Sequence, residues 1–247
     1  MTTQNYNSSD FDELKKINEL LASEGIPLSE QIEGFAKYAS RRALARFLFK
    51  YELFKKIVNV HGSIVECGVY NGAGLLAWAK LSSILEPVNY TRKIIGFDTF
   101  SGFPSVSSND TDSGKANDLI VGGHSGSTKS NILEAVEIYD ANRALSHIPK
   151  IELVEGDICV TAKSYLNNNP HLVVSLLYLD FDLYEPTKIA IQNFLPRMPK
   201  GSVICFDELS LELYPGETIA VHETMGINNL RLQRSYFEPR VSYAIIE

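Results

Sequence analysis

Five short apolar runs, rich in β-branched residues and separated by segments long enough for a helix, constrain the fold of this chain most. They read SIVEC, KIIGFD, IELVEGD, VVSLLYLD and SVICFD, and they begin near residues 63, 93, 151, 173 and 202. Near-continuous apolar runs of this length are typical of parallel strands that are buried on both faces. Because they alternate with helical segments, they predict an α/β fold with a doubly wound sheet.

The end of the chain predicts two more strands. The runs LRLQRSYF and RVSYAII are joined through Glu238-Pro239-Arg240, a connection short enough for an antiparallel pair. We therefore expect a mostly parallel, seven-stranded sheet with an antiparallel edge.

The segments outside the strands predict how the chain is organised. Helical periodicity before the first strand predicts one helix that ends at Gly25 and a second that runs from near Ser29 to about Val60. We interpret residues 1–60 as a helical N-terminal extension of the same domain and residues 61–247 as the sheet domain. Residues 99–127 are rich in Ser, Gly and Asp and follow the second strand. We interpret them as a lid loop, with a flexible insertion as the alternative.

Charge and cysteine content exclude several classes of protein. With 23 basic and 30 acidic side chains the formal net charge is −7, which argues against binding to nucleic-acid phosphates.

No run approaches the ~18 consecutive apolar residues of a membrane span, and the polar start of the chain has no secretory signal. Cys67, Cys159 and Cys205 form no zinc motif. We expect free thiols in a cytoplasmic protein.

The first strand ends in the motif VECGVYNG, which predicts a ligand-binding turn. Glu66 stands where a dinucleotide-binding fingerprint has its first glycine, and Gly68 and Gly72 follow at the strand-to-helix turn. A carboxylate there would repel a pyrophosphate, so the turn favours a cationic or hydroxyl-bearing ligand. At the next two strand ends, Asp98 is placed to bind ribose hydroxyls and Asp157 to meet an adenine amino group.

Two acidic pairs follow the fourth and fifth strands. Asp180 and Asp182 come after one strand, and Asp207 and Glu208 after the other. Adjacent parallel strands lie about 4.8 Å apart, so the pairs can converge. Clustered carboxylates repel each other unless a cation or shared protons intervene, and hard oxygen ligands select Mg²⁺, Ca²⁺ or Mn²⁺. The alternative is helix capping, with Asp182 capping the helix that contains Pro186.

Together these motifs resemble the macrocin O-methyltransferase (TylF-type) family, from about residue 35 to the C-terminus. The most specific part is LDFDLYEPT, and VECGVYNG, GFDTFSGFP and GSVICFDE support it. The resemblance implies a class I, Rossmann-like methyltransferase fold and two cofactors, S-adenosylmethionine (SAM) and Mg²⁺. It also implies methylation of a sugar hydroxyl, on a nucleotide sugar, a glycosylated natural product or a polysaccharide precursor.

Carried onto this chain, the resemblance assigns site residues. The metal ligands would be Asp180, Asp207 and Glu208. The residues around SAM would be Glu66, Gly68, Val69, Tyr70, Gly72, Asp98, Thr99, Asp157 and Ile158. The family usually has Asp-Asp-Tyr where this chain has Asp207-Glu208-Leu209, and Leu183 stands where catechol-type relatives carry a lysine.

A base must take the proton of the acceptor hydroxyl. Asp182 is the first candidate, because an extended segment would put it on the same face as Asp180, about 7 Å away. Asp180 is the second candidate and His124, in the lid loop, the third. The alternative for His124 is a solvated side chain.

Three other functions stay open from the sequence. Asp180-Phe181-Asp182 is also the DxD of metal-dependent glycosyltransferases, although no basic residue for phosphates flanks residues 180–184. An NAD-dependent oxidoreductase is disfavoured by the missing GxGxxG. A non-catalytic binding protein would use the N-terminal helices as its interface. The apolar faces of these helices also predict a homodimer. The resemblance implies a small-molecule substrate.

Overall fold

The computed structural model describes residues 8–23, 25–111 and 119–247. The helices are α1 (Ser8–Ser23), α2 (Leu28–Glu33), α3 (Arg41–Ile57), α4 (Ala73–Leu85), α5 (Lys129–Asp140), α6 (Ile158–Asn168), α7 (Tyr184–Phe194) and α8 (Pro215–Thr224). The strands are β1 (Ser63–Cys67), β2 (Ile94–Asp98), β3 (Ile151–Glu155), β4 (Val174–Leu179), β5 (Val203–Phe206), β6 (Gln233–Arg234) and β7 (Ser242–Ile245). Short 3-10 turns cover Phe35–Lys37, Leu195–Arg197 and Ile227–Asn229.

The seven strands form one sheet in the order β3-β2-β1-β4-β5-β7-β6. The five predicted runs are the parallel strands β1 to β5, and β7 pairs antiparallel with both β5 and β6. The predicted α/β sheet and its antiparallel edge are therefore confirmed. The strand order reverses between β1 and β4, which is where open α/β sheets bind ligands.

The second predicted helix is wrong as a continuous element. Instead of one helix from Ser29 to Val60, the chain forms α2, a 3-10 turn and α3. Gly34 ends α2, and Ser40 caps α3 by accepting the N–H of Ala43 at 3.2 Å. Apolar spacing continues across both breaks, so periodicity alone does not detect them.

Helices cover both faces of the sheet. The core of one face is built with α3, α4 and α5, and that of the other with α6, α7 and α8. Phe49, Leu53 and Ile57 of α3 are almost completely buried in the first core. This burial fixes the direction of α3, which carries two cationic side chains to the carboxyl ends of the strands.

The described residues contain no helix with the length and apolar character needed to cross a membrane. All three cysteines are free thiols; Cys67 and Cys205 are buried, and Cys159 is exposed. Burial raises the pKa of Cys67 and Cys205 well above the usual value, so both are inert packing residues.

Candidate active site

The carboxyl ends of β1, β2, β4 and β5 open into a cavity of about 410 Å³, a size typical of small-molecule sites. Every site residue assigned from the sequence lines it except Gly72. Among the described lining residues, seven carry carboxyl groups and three are Arg or Lys. The carboxyl groups belong to Glu66, Asp98, Asp157, Asp180, Asp182, Asp207 and Glu208, and the cations to Arg46, Lys50 and Arg240. Such an excess of carboxylates favours cationic ligands.

The turn after β1 lies directly against the end of β4. Gly68 has a φ of 92°, and a Cβ atom there would overlap the backbone carbonyl of Asp180. Gly72 has a φ of 77° and is the N-cap residue of α4. Both positions therefore need glycine, but at Gly68 the close approach is to the neighbouring strand rather than to the ligand space.

Glu66 lines the cavity and is 2% exposed. Its Oε1 is 3.8 Å from the Nζ of Lys50, whose ammonium group lies 3.7 Å from the ring centroid of Tyr178. Its Oε2 has no hydrogen-bond partner among the described residues. Burial raises the pKa of Glu66 to about 8, although Lys50 opposes the shift. Glu66 therefore lines the cavity and has an unused acceptor oxygen, which suits a cation.

Asp98 connects the ends of β1 and β2. Its Oδ2 accepts the N–H groups of Val69 at 2.7 Å and Tyr70 at 2.9 Å, and its Oδ1 accepts that of Phe100 at 2.7 Å. This carboxylate shapes the turn after β1, a role that the sequence did not predict. A carboxylate accepts about four hydrogen bonds, so one remains for a ligand hydroxyl.

Asp157 caps α6, since its carboxylate accepts the N–H of Cys159 at 2.9 Å. Thr99 donates its hydroxyl to the carbonyl of Gly102 at 2.6 Å. Both residues line the cavity together with Ile158. The structure therefore gives Asp157 and Thr99 structural roles beside the binding roles that the resemblance implied.

Asp207 is buried at the end of β5 and pairs with a residue of α3. It accepts hydrogen bonds from the guanidinium of Arg46 and from the hydroxyl of Tyr178. The same Nη2 of Arg46 lies 3.8 Å from the Oδ2 of Asp180. Although burial opposes ionisation, Arg46, Tyr178 and then Arg240 hold the pKa of Asp207 below its usual value. The pKa of Asp180 is raised to about 8, mainly by burial of its carboxyl group and next by the negative charge of Asp207.

The contact of Arg46 with Asp207 corrects one inference from the sequence. No basic residue flanks residues 180–184, but the fold brings Arg46, Lys50 and Arg240 to the acidic cluster. Arg46 and Lys50 are spaced i, i+4 and share a helix face with the buried Leu53 and Ile57. Two cations within a buried apolar stripe were the signal that sequence reasoning missed.

Glu208 lies beside the cluster and is 4% exposed. Its Oε1 is 3.3 Å from the Nη1 of Arg240, while its Oε2 has no hydrogen-bond partner among the described residues. Its backbone N–H donates to Glu217 at 3.0 Å. Burial, then the Asp207 charge, raise the pKa of Glu208 to about 9. Within the described part of the chain, no three His, Cys, Asp or Glu side chains are arranged as a ready metal site.

Asp182 has a φ of 61°, in the left-handed region. The segment after β4 is therefore not extended, and the prediction that Asp180 and Asp182 share one face for that reason was wrong. Asp182 nevertheless lines the cavity and is 9% exposed. The backbone N–H of Tyr184, the first residue of α7, donates to the carboxylate of Asp110 at 2.6 Å.

The described parts of the lid loop are residues 99–111 and 119–127; residues 112–118 of that prediction lie outside the described chain. Phe103 and Leu119 are buried against Leu183 and Tyr214, next to the cavity. The ring of His124 is half-buried, 5.2 Å from that of Phe103. These parts of the loop are packed, which disfavours a fully solvated His124.

Comparisons with known proteins relate this site to methyltransferases. A family model described as macrocin-O-methyltransferase (TylF) matches residues 51–230. A search of curated proteins gave no match. A structure of CalS11, a calicheamicin methyltransferase, is similar with a TM-score of 0.92 and 30% identity, covering 97% of this chain and 93% of that chain.

Two further structures extend the comparison. Apo CalS11, described as a TDP-rhamnose 3′-O-methyltransferase, is similar with a TM-score of 0.84 and 30% identity, covering 97% of this chain and 95% of that chain. The O-methyltransferase NovP has a TM-score of 0.64 at 19% identity, covering 82% of this chain and 79% of that chain. The NovP comparison shows a shared fold.

Proposed function

The chain belongs to the macrocin-O-methyltransferase (TylF) family, and we propose that it methylates a sugar hydroxyl with Mg²⁺ bound beside the acceptor. It is an SAM-dependent O-methyltransferase with a class I, Rossmann-like fold. The observation that carries the proposal is the cavity in which seven carboxyl groups face three cationic side chains. A cationic cofactor and a divalent cation both fit this charge balance.

The residues present fit SAM. The cofactor supplies a methyl group on a positively charged sulfur. Glu66 offers a buried carboxylate oxygen with no partner among the described residues, which suits the ammonium end of such a ligand.

Asp98 keeps acceptor capacity for ribose hydroxyls, and Val69, Tyr70 and Thr99 lie beside it. Gly68 and Gly72 shape the turn. Asp157 and Ile158 stand at the start of α6, where the adenine would lie.

The donor set also fits Mg²⁺. Asp180, Asp207 and Glu208 offer hard carboxylate oxygens, and the Oε2 of Glu208 is buried without a partner among the described residues. A divalent cation beside an alcohol lowers the pKa of its hydroxyl and orients its oxygen. These three residues would hold the ion, with Glu208 standing where the family usually has aspartate.

The remaining chemistry falls to side chains of the chain. Asp182 accepts the proton of the acceptor hydroxyl, with Asp180 and His124 as the other candidates. The packed part of the lid, around Phe103 and Leu119, limits the access of water to the cavity.

The substrate class is proposed from the relatives. CalS11 is described as a TDP-rhamnose 3′-O-methyltransferase, and it is 30% identical over 97% of this chain. We propose a small-molecule acceptor that contains a sugar, either a nucleotide sugar or a glycosylated natural product or polysaccharide precursor.

The organisation of the protein is also a proposal. We treat residues 1–60 as part of the methyltransferase domain, because α3 is buried in the core and contributes Arg46 and Lys50 to the cavity. Exposed apolar side chains on the N-terminal helices, such as Leu28, Ile32 and Phe35, support a homodimer. Three free thiols agree with a cytoplasmic protein.

One titration series tests the function. S-adenosylhomocysteine, UDP and NAD are each titrated into the protein with and without Mg²⁺, by calorimetry. We expect binding of S-adenosylhomocysteine, and the loss of methyl transfer to a nucleotide sugar in EDTA with recovery in Mg²⁺. Asp180→Asn and Asp207→Asn should lose the transfer and keep the cofactor. Full activity in EDTA would overturn the metal proposal. Binding of UDP or NAD without any binding of S-adenosylhomocysteine would overturn the assignment of SAM as the cofactor.

A further inference from the structure

Arg46 is the cation that the structure places on the acidic pair. Its Nη2 donates to the Oδ1 of Asp207 and lies 3.8 Å from the Oδ2 of Asp180. A single nitrogen thus contacts the carboxylates that end two neighbouring strands. The second acceptor of that nitrogen is the Tyr178 hydroxyl, at 3.5 Å.

The backbone at Arg46 is fixed, but the side chain is able to move. Phe49, Leu53 and Ile57 anchor α3 in the core, so the Cα of Arg46 keeps its place beside the strand ends. The Arg46 side chain is 22% exposed, while that of Asp207 is 2% exposed. The guanidinium therefore has a route to solvent, and the carboxylate does not.

The charges around Arg46 do not balance. Asp180, Asp207 and Glu208 carry three negative charges when ionised, whereas Arg46 and Arg240 supply two positive charges. Glu208 is next to the pair, and its Oε2 is buried without a partner among the described residues. A buried acceptor without a donor costs free energy, so the site retains capacity for additional positive charge.

We propose that Arg46 is a resident counter-cation for Asp180 and Asp207, and that a divalent cation displaces it. The proposal rests on the proposed Mg²⁺ dependence. A divalent ion needs oxygen ligands at about 2.0–2.6 Å. Arg46 places its charge on the Oδ1 of Asp207, which also accepts the Tyr178 hydroxyl, so the guanidinium and the ion compete for the same carboxylate. The displaced guanidinium moves outward along its exposed side. Arg46 thus competes with the metal instead of supporting it.

Binding of Mn²⁺ to the full chain, without cofactor or acceptor, tests this exchange. The probe is Mn²⁺ alone, with the free ion measured by electron paramagnetic resonance. Arg46→Met keeps most of the side-chain length and removes the charge. An opposite charge within about 4–6 Å changes the ionisation of a carboxylate roughly tenfold or more, so we expect Arg46→Met to bind Mn²⁺ at least about tenfold more tightly. Arg46→Lys should stay close to the wild type.

Controls separate the exchange from other effects. Arg42 lies one turn earlier on α3, pairs with Glu13 and is outside the cavity lining, so Arg42→Met should leave the affinity unchanged. Arg46→Met should also show a larger rise in melting temperature on adding Mn²⁺ than the wild type, which verifies that the variant is folded. Equal or weaker Mn²⁺ binding by Arg46→Met would overturn the exchange and leave the metal proposal standing. If neither protein binds Mn²⁺, both are overturned.

Discussion

The carboxylate of Asp110, in the lid loop, accepts the backbone N–H of Tyr184 at the start of α7 at 2.6 Å. Its other oxygen accepts the N–H and the hydroxyl of Ser107, each at 2.7 Å. Asp110 is 1% exposed, and its hydrogen bond with the Tyr184 N–H is buried. The lid is thereby attached two residues beyond Asp182.

We predict that Asp110→Ala weakens acceptor binding more than cofactor binding. The substitution leaves the buried N–H of Tyr184 without an acceptor, which costs about 1–3 kcal/mol of the free energy of unfolding. The lid then loses its attachment to α7, so the acceptor KM should rise, while the Kd for S-adenosylhomocysteine changes little. Denaturant unfolding and steady-state kinetics measure the two effects.

Ser108→Ala is the matched control, because Ser108 is an exposed residue two positions from Asp110. It should leave both the stability and the KM unchanged. If Asp110→Ala behaves like this control, the hydrogen bond to Tyr184 does not hold the lid in place.

Gly74→Ala should reduce cofactor affinity without destabilising the protein. A Cβ atom at Gly74 would overlap the Oε1 of Glu66, so the carboxylate would be pushed away from Lys50. Alanine favours a helix by about 1 kcal/mol over glycine, which offsets the strain. We expect the Kd for S-adenosylhomocysteine to rise at least about tenfold, equivalent to 1.4 kcal/mol.

Gly34→Ala provides the comparison for Gly74, since an added Cβ there makes ordinary contacts of 3.5 Å or more. Calorimetric titration should give it the wild-type affinity. Unchanged affinity in Gly74→Ala would show that the position of the Glu66 carboxylate does not determine cofactor binding.

The strands and the acidic strand ends could be predicted because their signals are local. Each run of β-branched residues encodes its own strand, and a parallel sheet brings the carboxyl ends to one edge. Glu66, Asp98, Asp180 and Asp207 therefore line one cavity, as their positions in the sequence indicated.

The cations of the site could not be predicted in this way. Arg46 and Arg240 come from opposite ends of the chain and lie outside the residues that the family model matches. The approach of Arg240 depends on how the edge strands pack, which no local pattern encodes. Arg46 leaves only one local signal, a cation within the buried apolar stripe of α3. The left-handed backbone of Asp182 is likewise set by its surroundings, since aspartate is not the residue that most often marks a positive φ.

Glu66 should give cofactor binding a dependence on pH. Burial raises its pKa from 4.5 to about 8 in the free protein. Between pH 4.5 and about 8, Glu66 is protonated in the folded protein and ionised in the unfolded chain. The free energy of unfolding therefore falls as the pH rises through this range. The ammonium end of S-adenosylhomocysteine favours the carboxylate, so binding at pH 7 should release up to about one proton.

Proton release is measured by calorimetry at pH 7 in buffers with different enthalpies of ionisation. Glu66→Gln cannot release this proton, so its binding enthalpy should depend less on the buffer. If both proteins release the same number of protons, the proton does not come from Glu66.

Asp182→Asn separates proton transfer from local structure. Among residues other than glycine, asparagine is one of those that adopt a positive φ most readily. The substitution therefore keeps the backbone at a φ of 61° and removes the charge. If Asp182 is the general base, kcat should fall roughly 10²–10⁴-fold, while the acceptor KM and the Mn²⁺ affinity change much less. Steady-state kinetics and Mn²⁺ titration measure these quantities.

His124→Ala is the companion variant, because His124 lines the same cavity from the lid side. Since its ring lies 5.2 Å from Phe103, its removal should loosen the lid and raise the acceptor KM more than it lowers kcat. The two variants therefore have opposite signatures if Asp182 takes the proton. A large loss of kcat in His124→Ala together with a silent Asp182→Asn would place the base in the lid. The carboxylate after β4 would then serve the structure of the turn alone.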